Sequence, residues 1–331
     1  MANINKDEGV QEPIRVVFGD GTLGLHGRDY HYLFSYARGG LESLVTDGQE
    51  WLYRVPRPAF WRAVTDNDRG NGFPLRSGMW LGADMFIGCK DIAVTVDHQK
   101  IPMPIAPENN RYTGEERAQT VRILFQYETI TLPAARVDVA YEVAAGGRIT
   151  VQVHYYGDKR LPELPVFGLR FVMPDKAGGY RYEGLSGETY PDRMAGGIPG
   201  VYQISGLPVT KYLVPQDCNV HMNTSWLEVY RSNALNQQDK GKQNTGLRFS
   251  CREQKFAFSC IPYTPLELEN ATHQEELPAA RRTVVSILGA VRGVGGIDSW
   301  GAEVGSAYRI DAGKDICFSF DIEGTGGYYL T

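Results

Sequence analysis

The feature that most constrains the fold is an alternation of apolar and polar residues with a period of two, which recurs along most of the chain. The clearest runs are residues 121–127, 137–143, 149–155, 167–173 and 316–322. Successive side chains of a strand point to opposite faces, so each run offers one apolar face to a core. Glycine- and aspartate-rich turns separate the runs. The pattern predicts an all-β fold, a large antiparallel β-sandwich.

Helix signals are few. Residues 264–267, Thr-Pro-Leu-Glu, have the spacing of a capping box with proline at the first helical position, which predicts one short helix ending near Leu277. Strands do not alternate with amphipathic helices, which excludes a (β/α)8 barrel and a dinucleotide-binding sheet. We expect a loose tail at residues 1–12 and one β-domain over residues 13–331.

Composition excludes several classes of function. With 42% apolar residues, the 331-residue chain can form a large core, and its net charge of -5 does not suit a nucleic-acid partner. It has no apolar run of about 18 residues, which predicts no membrane span, and its polar N-terminal sequence predicts a cytoplasmic protein without a signal peptide. Five scattered cysteines and six histidines show no metal-ligand spacing, so we expect no metal site.

Three segments depart from the strand pattern and are rich in polar, aromatic and glycine residues: FWRAVTDNDRGNG at 60–72, YEGLSGETYPDR at 182–193 and VRGVGGIDSWG at 291–301. In the first, Asp66, Asn67 and Asp68 have the spacing that opens a calcium loop. A glutamate at the twelfth position and flanking helices are missing, so this pattern favours a tight turn held by side-chain hydrogen bonds. Gly70 and Gly72 supply the backbone freedom of a hinge.

The third segment predicts a sugar-binding platform. Trp300 is flanked by glycines and follows Asp298 and Ser299, and an indole face can stack on a pyranose while neighbouring oxygens bind its hydroxyls. The other tryptophans that we consider, Trp51, Trp80 and Trp226, lie in apolar, strand-like sequence and are expected in the core. No carboxylate pair suitable for glycoside hydrolysis is recognisable. The residues alone therefore indicate an all-β domain that could bind carbohydrate.

Taken together, the three segments, with YLVPQD at 212–217, resemble the C-terminal domain of glycoside hydrolase family 2 β-galactosidases. The resemblance runs from about residue 15 to the C-terminus, and the chain length is similar to that of the small subunit of the heterodimeric enzymes of lactic acid bacteria. It implies the supersandwich, a galactose mutarotase-like β-sandwich.

The resemblance also implies a division of labour between two chains. The nucleophilic and acid/base glutamates would lie on the barrel of a large subunit, so no catalytic residue is nominated here and the isolated chain would be inactive. The complex would hydrolyse terminal β-D-galactose from β-galactosides such as lactose, with retention, and would transfer galactose to acceptor sugars. Mg²⁺ and Na⁺ are expected on the large subunit, with no cofactor in this chain.

Residue roles carry over from the family at matching positions only. Trp300 would stack on the non-galactose part of the substrate, beside Asp298 and Ser299. A mobile active-site loop would begin at Gly70 and include Asn71, Gly72, Phe73 and Arg76. Structural roles are expected for Asp66, Asn67, Asp68, Glu188, Tyr190, Asp192 and Arg193, and also for Gln216 and Asp217. We expect Arg193 to pair with a carboxylate. The chain has Thr189 where most of the family has asparagine.

Two alternatives from other functional classes remain. The chain could be a stand-alone galactoside-binding module, which would bind sugar without a partner. It could also be a mutarotase-like epimerase, which needs a histidine and a glutamate acting across a pyranose, and His154 or His221 would then serve. Calorimetry on the isolated chain and polarimetry of α-galactose separate these alternatives from a subunit role.

Overall fold

β-Strands make up most of the chain in the computed structural model, which describes residues 12–106, 108–231, 245–298 and 301–326. The strands of the first half are β1 (Ile14–Phe18), β2 (Thr22–His26), β3 (Tyr30–Ser35), β4 (Gly40–Thr46), β5 (Gln49–Glu50), β6 (Arg54–Ala59), β7 (Gly88–Val96), β8 (Gln99–Ile101), β9 (Glu116–Ala118), β10 (Thr120–Glu128), β11 (Arg136–Ala144) and β12 (Ile149–Tyr156). The remaining strands are β13 (Val166–Met173), β14 (Gly179–Leu185), β15 (Pro199–Ser205), β16 (Val220–Thr224), β17 (Trp226–Arg231), β18 (Thr245–Cys251), β19 (Phe256–Ile261), β20 (Thr283–Val291) and β21 (Ile316–Thr325).

Helices are short: α1 (Asp66–Gly70), α2 (Phe73–Ser77) and α3 (Pro265–Asn270), with single 3₁₀ turns at Gly78–Trp80, Gln274–Glu276 and Ser306–Tyr308. The capping box predicted at α3 is confirmed, since the Glu267 amide donates to Thr264 Oγ1 and the Thr264 amide donates to the Glu267 carboxylate. The prediction that this helix reaches Leu277 is wrong, because α3 ends at Asn270. Within the described residues, no helix is both long and apolar enough to cross a bilayer.

The strands form three sheets. A ten-stranded sheet has the order β15-β14-β17-β18-β21-β12-β11-β10-β7-β8, a six-stranded sheet the order β5-β4-β3-β2-β1-β9, and a five-stranded sheet the order β16-β19-β20-β13-β6. Every pair of neighbouring strands that the structure describes is antiparallel. The predicted antiparallel all-β architecture is therefore confirmed.

The main core lies between one face of the ten-stranded sheet and the two smaller sheets. Phe167 and Phe171 of the five-stranded sheet lie 5.3 Å and 5.2 Å, between ring centroids, from Tyr155 and Phe249 of the ten-stranded sheet. Phe34 of the six-stranded sheet lies 5.5 Å from Tyr141. These aromatic contacts cover the apolar face that the alternating pattern predicts.

The structure changes two predictions about the core. Strand β13 is buried along its whole length, rather than on one face, because further chain segments cover the outer face of the five-stranded sheet. Trp51 and Trp80 are fully buried as expected, although Trp80 ends a 3₁₀ turn rather than lying in a strand. Trp226 is only partly buried, and the guanidinium of Arg248 lies 4.2 Å from its ring centroid, so its assignment to the core is wrong.

Arg170, on β13, shows how the outer face of the five-stranded sheet is covered. Its guanidinium donates to the carbonyl oxygen of Trp61 at 2.8 Å and pairs with Asp84 at 2.8 Å. These two contacts attach the segment that contains α1 and α2 to the middle of the sheet. Arg62, Tyr190 and Val291, one residue from each motif segment, pack on this covered face, whereas residues 182–185 of the second motif belong to β14.

Candidate functional site

The first motif segment forms a one-turn helix rather than the predicted tight turn. Thr65 is the N-cap of α1: its hydroxyl accepts the Asp68 amide at 3.2 Å, and the Asp68 carboxylate accepts the Thr65 amide at 3.0 Å. The Asp66 carboxylate is exposed and pairs with Arg69, whereas Asn67 donates to the carbonyl oxygen of Val294 at 3.0 Å. The three residues therefore serve three different purposes.

Asp68 lies at the centre of a buried ion-pair network. One carboxylate oxygen is 3.0 Å from Arg62 Nη2 and the other is 2.7 Å from Arg292 Nη1, and all three side chains are at least 97% buried. Arg292 also pairs with Glu163, and its guanidinium carbon lies 3.9 Å from the ring centroid of Phe73. A carboxylate between two guanidiniums compensates for the loss of their hydration, which would otherwise make their burial unfavourable.

Because Arg62 belongs to the first motif and Arg292 to the third, this network joins segments that are far apart in the chain. Arg62 Nη2 also donates to the carbonyl oxygen of Gly293 at 3.2 Å. Burial by itself lowers the pKa of Arg62, but the charge of Asp68 and further acidic neighbours reverses this, and the net pKa is raised. Arg62 is therefore a permanent cation at physiological pH.

The second motif holds the third through its last two residues. The Asp192 carboxylate accepts the amides of Val294 at 3.0 Å and Gly295 at 2.7 Å. Arg193 donates to the carbonyl oxygens of Asp192 and Gly295. Since no carboxylate in residues 12–106, 108–231, 245–298 and 301–326 pairs with Arg193, the expectation of such a pair is wrong. The two side chains instead satisfy the backbone groups of an irregular, glycine-rich segment that has no strand partner there.

The segment at 212–217 links the first and second motifs. Tyr190 donates to the Asp217 carboxylate at 2.9 Å, and Gln216 accepts the Asp66 amide at 2.7 Å. Glu188 accepts the Asn219 amide at 2.6 Å. Burial raises the pKa of Asp217 to about 6, although the Arg62 charge and the Tyr190 hydroxyl lower it.

The predicted mobile loop is partly helical. Gly70 is the last residue of α1, Gly72 has a left-handed φ of 72°, and α2 begins at Phe73, which is buried beneath Arg292. The Asn71 side-chain oxygen accepts the Phe73 amide at 3.0 Å, and Arg76 pairs with Glu303 at 2.7 Å. Closure of this segment over a ligand stays a prediction.

Ser299 and Trp300 lie outside the described residues, and their assignment to substrate binding stays a prediction, as does that of Asp298. The chain beside them is described. Asp298 accepts the Ala302 amide at 3.2 Å. Gly301 has a φ of +80°, and a Cβ there would lie 2.6 Å from the Gly70 carbonyl oxygen. The backbone that follows Trp300 is thus in direct contact with the start of the predicted mobile loop.

Arg62 and Arg292 stand within the motifs, but the sequence pattern predicted a role for neither of them. The available signal was their position, since each arginine stands in or next to an apolar run, FWRAV and VVSILGAVR, where an unpaired charge would be very unfavourable. Among the described residues, no group of three or more His, Cys, Asp or Glu side chains could hold a metal ion.

The two histidines of the epimerase alternative lie in different surroundings. His221 is buried among Tyr180, Tyr182 and Phe258, and burial lowers its pKa to about 4, so it is neutral at physiological pH. His154 pairs with Asp315 at 2.9 Å and borders an open groove of about 410 Å³ on the solvent-facing side of the ten-stranded sheet.

The comparisons with known proteins identify the chain's relatives. A family model described as "Beta galactosidase small chain" matches residues 26–322. The "Beta-galactosidase small subunit" of Latilactobacillus sakei is 61% identical over 322 residues, which are 97% of this chain and 99% of that protein. The "Beta-galactosidase" proteins of Halalkalibacterium halodurans and Streptococcus thermophilus are 32% and 30% identical over 97% and 98% of this chain. The chain spans only 29% of the length of each.

Among solved structures, that of a putative aldose 1-epimerase from Escherichia coli aligns with this chain. The alignment covers 95% of this chain and 99% of that protein. The sequence identity is 11% and the TM-score is 0.45.

We predict that the Asp68→Asn substitution destabilises the fold severely. The amide keeps the shape of the side chain but removes the negative charge that lies between Arg62 and Arg292, so the free energy of unfolding should fall by about 3–5 kcal/mol. Urea unfolding of the purified chain measures it. Asp66→Asn is the matched control, because it makes the same change at an exposed carboxylate two residues earlier in α1. It should change stability little. Equal stability of the two variants would show that the network does not stabilise the fold.

We also predict a pH-dependent difference between the wild type and Asp217→Asn. The carboxyl group has a pKa of about 6 in the folded chain and about 4 when unfolded, so between these values the folded state binds more protons. Wild-type stability relative to Asp217→Asn should therefore decrease as the pH rises from about 4 to about 6, and should then level off. Urea unfolding across pH 3.5–8 measures the difference. A difference that does not vary with pH would contradict the prediction.

Proposed function

Because this chain belongs to the β-galactosidase small-chain family, we propose that it completes the galactoside pocket of a large β-galactosidase chain and supplies no catalytic acid itself. The large chain would contain the two glutamates of a retaining mechanism, one as nucleophile and one as acid/base, together with the Mg²⁺ and Na⁺ of the enzyme. The complex would release terminal β-D-galactose from β-galactosides such as lactose and transfer it to acceptor sugars. The isolated chain would be inactive.

We call the cluster formed by the three motif segments and residues 212–217 the motif site. The observation that best supports this proposal is that carboxylates of this site already have structural partners. Asp68 lies between two guanidiniums, Asp192 accepts two backbone amides, Glu188 accepts a third, and Asp217 accepts the Tyr190 hydroxyl. A retaining glycosidase needs two carboxyl groups about 5 Å apart that are free to reach the sugar. The four carboxylates named here already have structural partners, as expected of a chain that supports a pocket and supplies no catalytic acid.

Within this proposal, the third motif segment reaches into the pocket. Trp300 stacks on the leaving group or acceptor sugar, with Asp298 and Ser299 supporting the turn. The segment that starts at Gly70 lies beside it. The Gly70–Gly301 contact and the Arg76–Glu303 ion pair support this arrangement, because they hold the two segments against each other.

Reconstitution tests the proposal directly. The purified chain and the large β-galactosidase chain encoded in the same genome should each fail to hydrolyse o-nitrophenyl-β-D-galactoside, and their mixture should hydrolyse it. Calorimetry with lactose and polarimetry with α-galactose on the isolated chain test the two alternatives. Hydrolysis by the isolated chain, sugar binding without a partner, or accelerated mutarotation would each overturn the proposal in favour of another function.

We predict that Trp300→Ala in the reconstituted complex weakens sugar binding. Loss of an aromatic stacking surface should cost on the order of 1–3 kcal/mol of binding free energy. KM for lactose should rise and the fraction of galactose transferred to acceptor sugar should fall, whereas Trp300→Phe, which keeps an aromatic face, should lose much less. Steady-state kinetics and product analysis measure both effects. Unchanged KM and product ratio in Trp300→Ala would refute the stacking role.

A further inference from the structure

An exposed apolar surface begins next to the motif site. In residues 75–86, which we call the apolar segment, five large apolar side chains are at least 43% exposed: Leu75, Met79, Leu81, Met85 and Phe86. Leu75 is 92% exposed. Isolated exposed apolar residues are common, but five within twelve positions form the kind of patch that marks an interaction site.

The apolar segment is held firmly by the residues between the exposed ones. Ser77, Trp80 and Ala83 are buried, and Trp80 stacks on Phe60 and donates to the Pro162 carbonyl oxygen at 3.1 Å. Asp84 pairs with the buried guanidinium of Arg170. Met79, Leu81, Met85 and Phe86 are therefore displayed by an anchored backbone, which reduces the entropy lost when a partner covers them.

A basic cavity of about 380 Å³ adjoins this surface. It is lined by Arg38, Arg54, Arg57, Arg170, Asp84 and Met85, with further apolar side chains, and we call it the arginine pocket. Arg170 pairs with Asp84, and Arg38 with Glu42 at 3.0 Å.

The other two arginines of the pocket, Arg54 and Arg57, have no counter-charge within the part of the chain that the structure describes. Arg57 donates to the backbone carbonyl oxygens of Arg38 and Gly39, and no carboxylate among the described residues pairs with Arg54 or Arg57. The pocket thus has an excess of two positive charges, although the chain as a whole has a net charge of -5. An acidic group is the complementary occupant.

The two ends of the apolar segment contact the motif site and the arginine pocket, respectively. Arg76, at its N-terminal end, pairs with Glu303, just beyond the third motif, and Asp84 and Met85, near its other end, line the arginine pocket. A partner that contacts the motif site beside Arg76 could therefore extend along the apolar segment to the arginine pocket.

We propose that the apolar segment and the arginine pocket form the docking surface for the large β-galactosidase chain, with an acidic side chain of that chain entering the arginine pocket. The inference rests on the proposed function. In the Halalkalibacterium halodurans and Streptococcus thermophilus relatives, the region that matches this chain is 29% of one longer polypeptide. A separate chain must replace that covalent link by a contact surface, and stable complexes bury about 800 Å² of each partner.

Binding measurements with the large chain test the docking surface. The triple variant Leu75→Ser, Met85→Ser, Phe86→Ser should bind at least thirtyfold more weakly than the wild type in isothermal titration calorimetry. Val201→Ser is the control for surface hydrophobicity, because Val201 is 56% exposed on β15, at the opposite edge of the ten-stranded sheet from β7, which follows the apolar segment. It should bind as the wild type does.

Charge reversal tests the pocket independently of the apolar residues. Arg54→Glu should weaken binding at least tenfold at low salt, because it replaces an attractive charge pair by a repulsive one. Its affinity should also fall less with NaCl concentration than that of the wild type, because salt screens the new repulsion. A misfolded variant would lose affinity at every salt concentration instead. Lys314→Glu, at an exposed lysine in the turn before β21, is the matched charge control and should behave as the wild type.

The outcomes separate the two proposals. If the wild type neither binds the large chain nor restores hydrolysis, the proposed function fails. If the wild type binds and the triple variant and Arg54→Glu bind equally well, the docking surface is overturned while the proposed function stands. A third outcome concerns inorganic phosphate. If the isolated chain binds phosphate, and Arg54→Glu abolishes that binding but leaves association with the large chain unchanged, the pocket is a small-anion site and its docking role is overturned.

Discussion

The motif site depends on one buried carboxylate, that of Asp68. It caps the first turn of α1 and at the same time contacts two buried guanidiniums, those of Arg62 and Arg292. Burying a single unpaired charge is very unfavourable, so each member of this group requires the others. Since the members come from the first and third motifs, their pairing brings both segments onto the outer face of the five-stranded sheet.

The remaining polar residues of the site compensate for irregular backbone. The third motif turns repeatedly through left-handed glycines at Gly295, Gly296 and Gly301, where no strand partner can take up its amides and carbonyls. Asp192 and Arg193 supply these hydrogen bonds from the second motif. Residues 293–295, which lack regular structure, are in this way held in a defined path.

Such a site is suited to a supporting role. Its carboxylates have structural partners, and its apolar surface and arginine excess face outwards beside it. The chain belongs to the β-galactosidase small-chain family and spans 29% of the length of the Halalkalibacterium halodurans and Streptococcus thermophilus relatives. The same sandwich that buries its own aromatic core also exposes the apolar segment and the arginine pocket, which we propose as its docking surface.

The sequence by itself determined the local features. The period-two runs identified strands such as β10, β11 and β12, because side-chain alternation depends only on neighbouring residues. The capping box at Thr264 was recognisable for the same reason, and the three motifs were recognisable as one set. Only the tertiary structure decided that β13 is buried on both faces, that Arg193 binds carbonyls, and that Asp68 meets Arg292, 224 positions away. Ion pairing and burial depend on distances in space, which sequence spacing does not encode.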